Sequence, residues 1–213
     1  MLELLNSEKF MVIFRGIPVE YIKQTAKAAY DGGVRIFEVT FDPSDPDTIK
    51  NTQTAISNIY DCLGSGVEVC AGTCVNPEFV DAAHKAGAKA IISPGTQKSV
   101  IDRTKELGIL SMPGAFTPTE ILTAYEMGAD IVKVFPILPE DVRLLQVIMS
   151  PLSHIPFITT GGVNPETAPK FLALGAKAVA AGATIANRQM AENGEFEQIY
   201  KNAKAHIDAI KNV

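Results

Sequence analysis

The sequence predicts an α/β chain closed into a single (β/α)8 barrel over residues 1–213, and three observations predict it. A helical pattern ends at glycine, with an apolar run beginning one or two residues later, at Gly33, Gly87, Gly108, Gly128 and Gly175. The reverse junction, a capping side chain followed by proline, recurs at Asp45-Pro46, Asn76-Pro77, Thr117-Pro118 and Asn164-Pro165. Eight strand-length apolar runs alternate with the helical patterns, and no linker or low-complexity stretch separates them.

The strands are expected at residues 10–15, 34–40, 67–71, 88–93, 109–112, 130–135, 156–160 and 176–181. They are continuously apolar rather than alternating, as strands of a parallel sheet covered on both faces must be. Glycine adopts the left-handed conformation that ends a helix without a Cβ clash, so the five glycines read as α-to-β turns. Proline lacks an N–H that the first helical turn could not use, so the Asx-Pro and Thr-Pro pairs read as helix starts. Thr117 and Glu120 add a capping box. The last helix is expected at Phe196–Ile210. Eight β/α units in 213 residues favour closure over an open doubly wound sheet.

A hydrophobic content of 46% supports one sizeable core. The net charge of −5 provides no basic excess for nucleic acid or an anionic membrane, so neither is expected as a partner. Residues 1–10 carry Glu3 and Glu8 and read as neither a signal peptide nor a membrane span. Cys62, Cys70 and Cys74 lack metal-type pairing, and reduced thiols in a cytoplasmic setting are expected. His84, His154 and His206 are scattered without zinc-site spacing, so no built-in metal is expected.

Two ionisable residues sit where apolar strands should exclude them. In I-V-K-V-F-P the two-residue side-chain period places Lys133 with Ile131 and Phe135. Surrounding hydrocarbon disfavours an ammonium and supplies the free amine that attack on a ketone requires. The alternative is a lysine that neutralises a buried carboxylate or snorkels to solvent. In V-R-I-F-E-V-T the same period groups Glu38 with Ile36 and Thr40. The second and sixth strands are both even-numbered, so their side chains share interior layers of a barrel and the two groups can meet. An acid/base pair and a structural ion pair both fit that placement.

The segments V-R-I-F-E-V-T-F from Val34, A-G-T-C-V-N-P from Ala71, I-S-P-G from Ile92, V-K-V-F-P from Val132 and T-G-G-V-N-P from Thr160 span nearly the whole chain. In this order and spacing they resemble the 2-keto-3-deoxy-6-phosphogluconate and 4-hydroxy-2-oxoglutarate aldolases. The resemblance implies a class I aldolase that forms pyruvate without a cofactor, with Lys133 as the Schiff-base amine and Glu38 as the proton carrier. It implies that Thr73 binds the pyruvate carboxylate, that Pro94 and Phe135 shape the imine pocket, and that the protein is a homotrimer. A phosphate is expected beside the last two strand ends. There Gly161 and Gly162 allow close backbone approach, and amides at Gly182, Ala183 and Thr184 open a helix.

Two positions depart from that pattern. Some members carry an arginine soon after the strand-two glutamate, where this chain has Asp42; Arg15 is the substitute expected to clamp the substrate carboxylate. After the lysine strand, Ile137-Leu138-Pro139-Glu140-Asp141 brings two acids where relatives often have small residues, and these could repel a phosphoryl group. Two other functions fit the barrel without an imine: a non-catalytic phosphosugar-binding protein and a phosphosugar isomerase or epimerase.

Overall fold

The five glycine-marked α-to-β turns are closed by the same backbone hydrogen bond, and this bond sets where their strands begin. The residue after the glycine donates its N–H to a helical carbonyl five residues earlier: Val34 to Ala29, Ala88 to Ala83, Ile109 to Thr104, Ala129 to Ala124 and Ala176 to Phe171. All five glycines have positive φ, from +69° to +107°. This is the Schellman arrangement, and it holds the first residues of each apolar run in the turn. The strands therefore start one or two residues later than the apolar runs after those glycines.

The computed structural model describes residues 1–213. Its strands are β1 (Phe10–Phe14), β2 (Ile36–Thr40), β3 (Glu68–Gly72), β4 (Ala90–Ile92), β5 (Leu110–Met112), β6 (Gly114–Ala115), β7 (Val132–Ile137), β8 (Phe157–Gly161) and β9 (Ala178–Ala181). The helices are α1 (Leu2–Glu8), α2 (Ile22–Asp31), α3 (Thr48–Leu63), α4 (Pro77–Lys85), α5 (Lys98–Glu106), α6 (Pro118–Glu126), α7 (Val142–Met149), α8 (Ala168–Ala173), α9 (Arg188–Glu192) and α10 (Phe196–Ile210). No helix is long and apolar enough to cross a membrane.

All ladders are parallel, in the order β5-β4-β3-β2-β1-β9-β8-β7-β6. The two ends of that order, β5 and β6, are consecutive in the chain and separated only by Pro113. Proline has no N–H to give a ladder, so one strand is divided into two pieces. The Pro113 carbonyl still accepts from Lys133 N at 2.9 Å. Counted as one stave, β5 and β6 close a ring of eight, the (β/α)8 or TIM-barrel architecture.

Side chains alternate across this ring. Met11, Ile36, Cys70, Ile92, Ile131 and Ile158 fill the interior, and α1 caps its amino-terminal end with Leu5, which is wholly buried. The larger apolar layer lies between sheet and helices, where Phe14 and Phe37 meet at 5.7 Å between ring centres. Fully burying such a ring contributes about 1.5–3 kcal/mol.

Two expected helix starts need correction. Asp45-Pro46 and Asn164-Pro165 precede α3 and α8 by a turn, since those helices begin at Thr48 and Ala168. The Asp45 carboxylate accepts from Asp47 N at 2.9 Å, and Asn164 Oδ1 accepts from Glu166 N and Thr167 N, both at 2.9 Å. These side chains fold a local turn rather than cap the helix directly. Asn76 and Thr117 do cap α4 and α6, the latter through the expected box with Glu120.

Candidate active site

At the carboxyl-terminal ends of the strands lies a cleft of about 660 Å³. Lys133, Arg15, Thr73, Pro94, Phe135, Gly161, Gly162, Gly182, Ala183 and Thr184 all line it. Glu38 has no exposed surface and is not among the residues lining it.

β7 is paired on both sides at Lys133, with Gly114 of β6 and Ile158 of β8, so its side chain has one inward course. Lys133 is 4% exposed, and its Nζ lies 4.9 Å from the centre of the Phe135 ring. The amine has no salt-bridge partner, unlike the surface lysines at positions 23, 27, 98, 105, 201, 204 and 211. On β2, Glu38 is in register with Ile13 of β1 and Cys70 of β3. Both of its carboxyl oxygens are buried without a hydrogen-bond partner. Burial pushes this carboxyl above the ordinary range, while the nearby positive charges of Lys133 and Arg15 pull the other way. The structural ion pair that the sequence left open is therefore not formed. A spare amine and a spare acid share one interior, an arrangement able to support nucleophilic attack followed by proton transfer.

Thr73 follows β3 with φ of +58°, an uncommon conformation for a residue with a Cβ. Its hydroxyl oxygen accepts from Arg15 Nη2 at 3.2 Å. The hydroxyl hydrogen is then left for another acceptor. Thr73 is not needed as a cap, because Asn76 Oδ1 accepts from Phe79 N at 2.8 Å. Asp42 lines a separate groove of about 350 Å³. Its Oδ1 accepts from Ser44 N at 3.0 Å and Ser44 Oγ at 2.6 Å, and these bonds hold the carboxyl below its ordinary range.

The two glycine turns differ from expectation. Gly161 has φ of +122°, and a side chain there would run into the Ile137 carbonyl. Gly162 N donates to Ile137 O at 2.5 Å, and the Pro139 ring occupies the space a Cβ at Gly162 would need. The pair thus lets β8 pass close to the end of β7, and the Gly162 amide is not free for an anion. Residues 182–186 form a single turn, with Ile185 N and Ala186 N donating to Gly182 O at 2.8 and 3.1 Å. The expected helix start lies later, at Arg188, where Asn187 caps α9. The amides of Gly182, Ala183 and Thr184 form no hydrogen bond within the protein, so they remain as donors at the cleft. Neither Glu140 nor Asp141 lines the cleft, and Asp141 Oδ2 accepts from Leu138 N at 3.0 Å within its own turn.

Sequence reasoning missed two polar cleft residues. Thr160 carries a buried hydroxyl without a partner, and its position two residues after interior Ile158 was the available signal. Asn187 Oδ1 accepts from Met190 N at 3.0 Å, which leaves the Asn187 NH2 as the donor. The N-cap pattern before Arg188 was its signal.

The family model described as KDPG and KHG aldolase matches residues 2–202. The chain belongs to this family. It is an aldolase, and aldolases are lyases. The KHG/KDPG aldolase of Escherichia coli (strain K12) is 30% identical over 196 residues, covering 91% of this chain and 88% of that protein. The 2-dehydro-3-deoxy-6-phosphogalactonate aldolase of the same organism is 28% identical over 204 residues, covering 94% and 96%. The solved native KDPGal structure superposes with a TM-score of 0.82 at 27% identity, covering 94% of this chain and 93% of that one.

Proposed function

We propose that the protein is a class I aldolase that cleaves a 2-keto-3-deoxy sugar acid to pyruvate and an aldehyde. The substrates are 2-keto-3-deoxy-6-phosphogluconate, which gives glyceraldehyde 3-phosphate, and 4-hydroxy-2-oxoglutarate, which gives glyoxylate. The observation that carries this reading is the buried, unpaired amine of Lys133 at the cleft, with an equally unpartnered carboxyl, that of Glu38, in the same barrel.

The Lys133 amine attacks the C2 ketone, and the carbinolamine loses water to give a protonated imine. That cation accepts the electron pair of the C3–C4 bond as it breaks. Glu38, through a water, takes the C4 hydroxyl proton; the aldehyde departs and an enamine remains. The same carboxyl returns the proton to C3, and hydrolysis frees pyruvate. The imine is itself the electron sink, so the sequence of steps calls for no metal or organic cofactor.

Arg15 and the hydroxyl hydrogen of Thr73 bind the keto-acid carboxylate, while Pro94 and Phe135 wall the imine. The free amides of Gly182, Ala183 and Thr184, together with the Asn187 NH2, hold the distal phosphate or carboxylate. Gly161 and Gly162 shape that end of the cleft. The protein works in the cytoplasm as a homotrimer; exposed Leu122 and Tyr125 on α6 and Leu144 and Val147 on α7 supply apolar surface for assembly.

Pyruvate with borohydride tests the reading. Reduction should fix a three-carbon adduct on Lys133, found by peptide mass. An unmodified Lys133 would instead support a phosphosugar isomerase, an epimerase or a silent binding barrel.

A further inference from the structure

We infer that Gly72 is the positioning residue for the Glu38 carboxyl, which occupies the space a side chain at position 72 would fill. This rests on the reading of Glu38 as the proton carrier. β2 and β3 pair Glu38 with Cys70 and Thr40 with Gly72. Cys70 belongs to the barrel interior, so the two-residue period aims the missing Gly72 side chain inward as well.

A Cβ built on Gly72 would overlap Glu38 Oε1 and lie 2.6 Å from its Cδ and 2.8 Å from its Cγ. Among the glycines, Gly72 is the one whose vacant Cβ position is taken by a carboxylate. Gly161 and Gly114 also stand at crowded points, but there the obstructing atoms are backbone. Nor does conformation explain the residue. Gly72 ends a regular strand and is not among the glycines with positive φ, so alanine fits its backbone.

The consequence comes from what does not hold Glu38. Neither carboxyl oxygen has a hydrogen-bond partner within the protein, so no protein donor orients the group. Among protein contacts, shape does so. A methyl at position 72 meets three atoms of one side chain, and the group that must swing aside is the carboxyl. The burden therefore falls on proton transfer rather than on the fold.

The test is a double-mutant cycle of Gly72→Ala and Glu38→Asp in the full chain. Gly72→Ala should lower kcat by roughly 100-fold, as misplacing a reacting group by about 1 Å does. KM should change less than about threefold, Lys133 should still be trapped with pyruvate, and the limb of the pH profile that reports Glu38 should move. Aspartate withdraws its carboxyl by one methylene and restores room, so Gly72→Ala should lower kcat less than about fivefold in that background. Equal losses in both backgrounds, or a wild-type kcat and pH profile for Gly72→Ala, would overturn the inference.

Should Gly72→Ala not fold, Gly72→Ala with Glu38→Ala should fold again if the clash is with the carboxyl. Failure of that pair would also count against it. Full kcat in Glu38→Gln would instead remove the proton-carrier reading and leave the packing relationship standing.

Discussion

Lys133 of β7 and Glu38 of β2 face one barrel interior without forming a salt bridge, and the charge of Lys133 opposes the rise that burial gives the Glu38 carboxyl. Their contributions should separate cleanly on mutation. Lys133→Ala should abolish pyruvate release in a coupled assay. Glu38→Gln should lower kcat by about 10²–10⁴-fold, the range for loss of a general acid or base, while borohydride still traps pyruvate on Lys133.

The same carboxyl makes stability depend on pH. Glu38 is raised in the folded protein from an ordinary value of 4.5, so the folded state keeps a proton that the unfolded chain releases. Its contribution to stability is complete below about pH 4.5 and is lost as pH rises through the raised value. Urea unfolding across that range should show this decline, and Glu38→Gln should flatten it. An unaltered slope in the variant would contradict the assignment.

Arg15 and Thr73 should act as a unit on the keto acid. A hydrogen bond to a charged group contributes about 1.5–3 kcal/mol, so Arg15→Ala should raise KM for the keto acid by roughly 10- to 100-fold. Because Arg15 donates to the Thr73 hydroxyl, adding Thr73→Val should do less harm in the Arg15→Ala background than alone. Steady-state kinetics of the four proteins measures the coupling.

Asn187 offers a test of the distal end of the cleft. Asn187→Asp keeps an oxygen for the Met190 amide but replaces the NH2 donor with negative charge. A like charge about 4 Å away is unfavourable by roughly 1–4 kcal/mol, so condensation of pyruvate with glyceraldehyde 3-phosphate should fall at least about fivefold. Unphosphorylated glyceraldehyde should be much less affected. Equal losses would place the phosphate elsewhere.

The parts of the fold that depend on local chemistry were legible in the sequence. Gly33, Gly87, Gly108, Gly128 and Gly175 declare their turns because only glycine takes their φ without strain. Lys133 and Glu38 stand out because an ionisable side chain in an apolar strand needs a reason. What remained hidden depends on contacts distant in the chain. Gly161 and Gly162 look like an anion loop until the approach of Ile137 and Pro139 is known, and Asn187 looks like an ordinary cap. Asp45 and Asn164 show a nearer limit: an Asx-Pro pair can close a turn one step ahead of the helix it announces.

Leu5 of α1 stoppers the barrel at its amino-terminal end, so the interior is a shaft that meets the cleft at the carboxyl-terminal strand ends. In the proposed reaction the pyruvyl half, bonded to Lys133, lies deepest in that shaft and the aldehyde half lies between it and water. Departure must follow the order of the queue: aldehyde first, then pyruvate. In the reverse direction pyruvate must enter before its partner, and excess aldehyde should obstruct the way in.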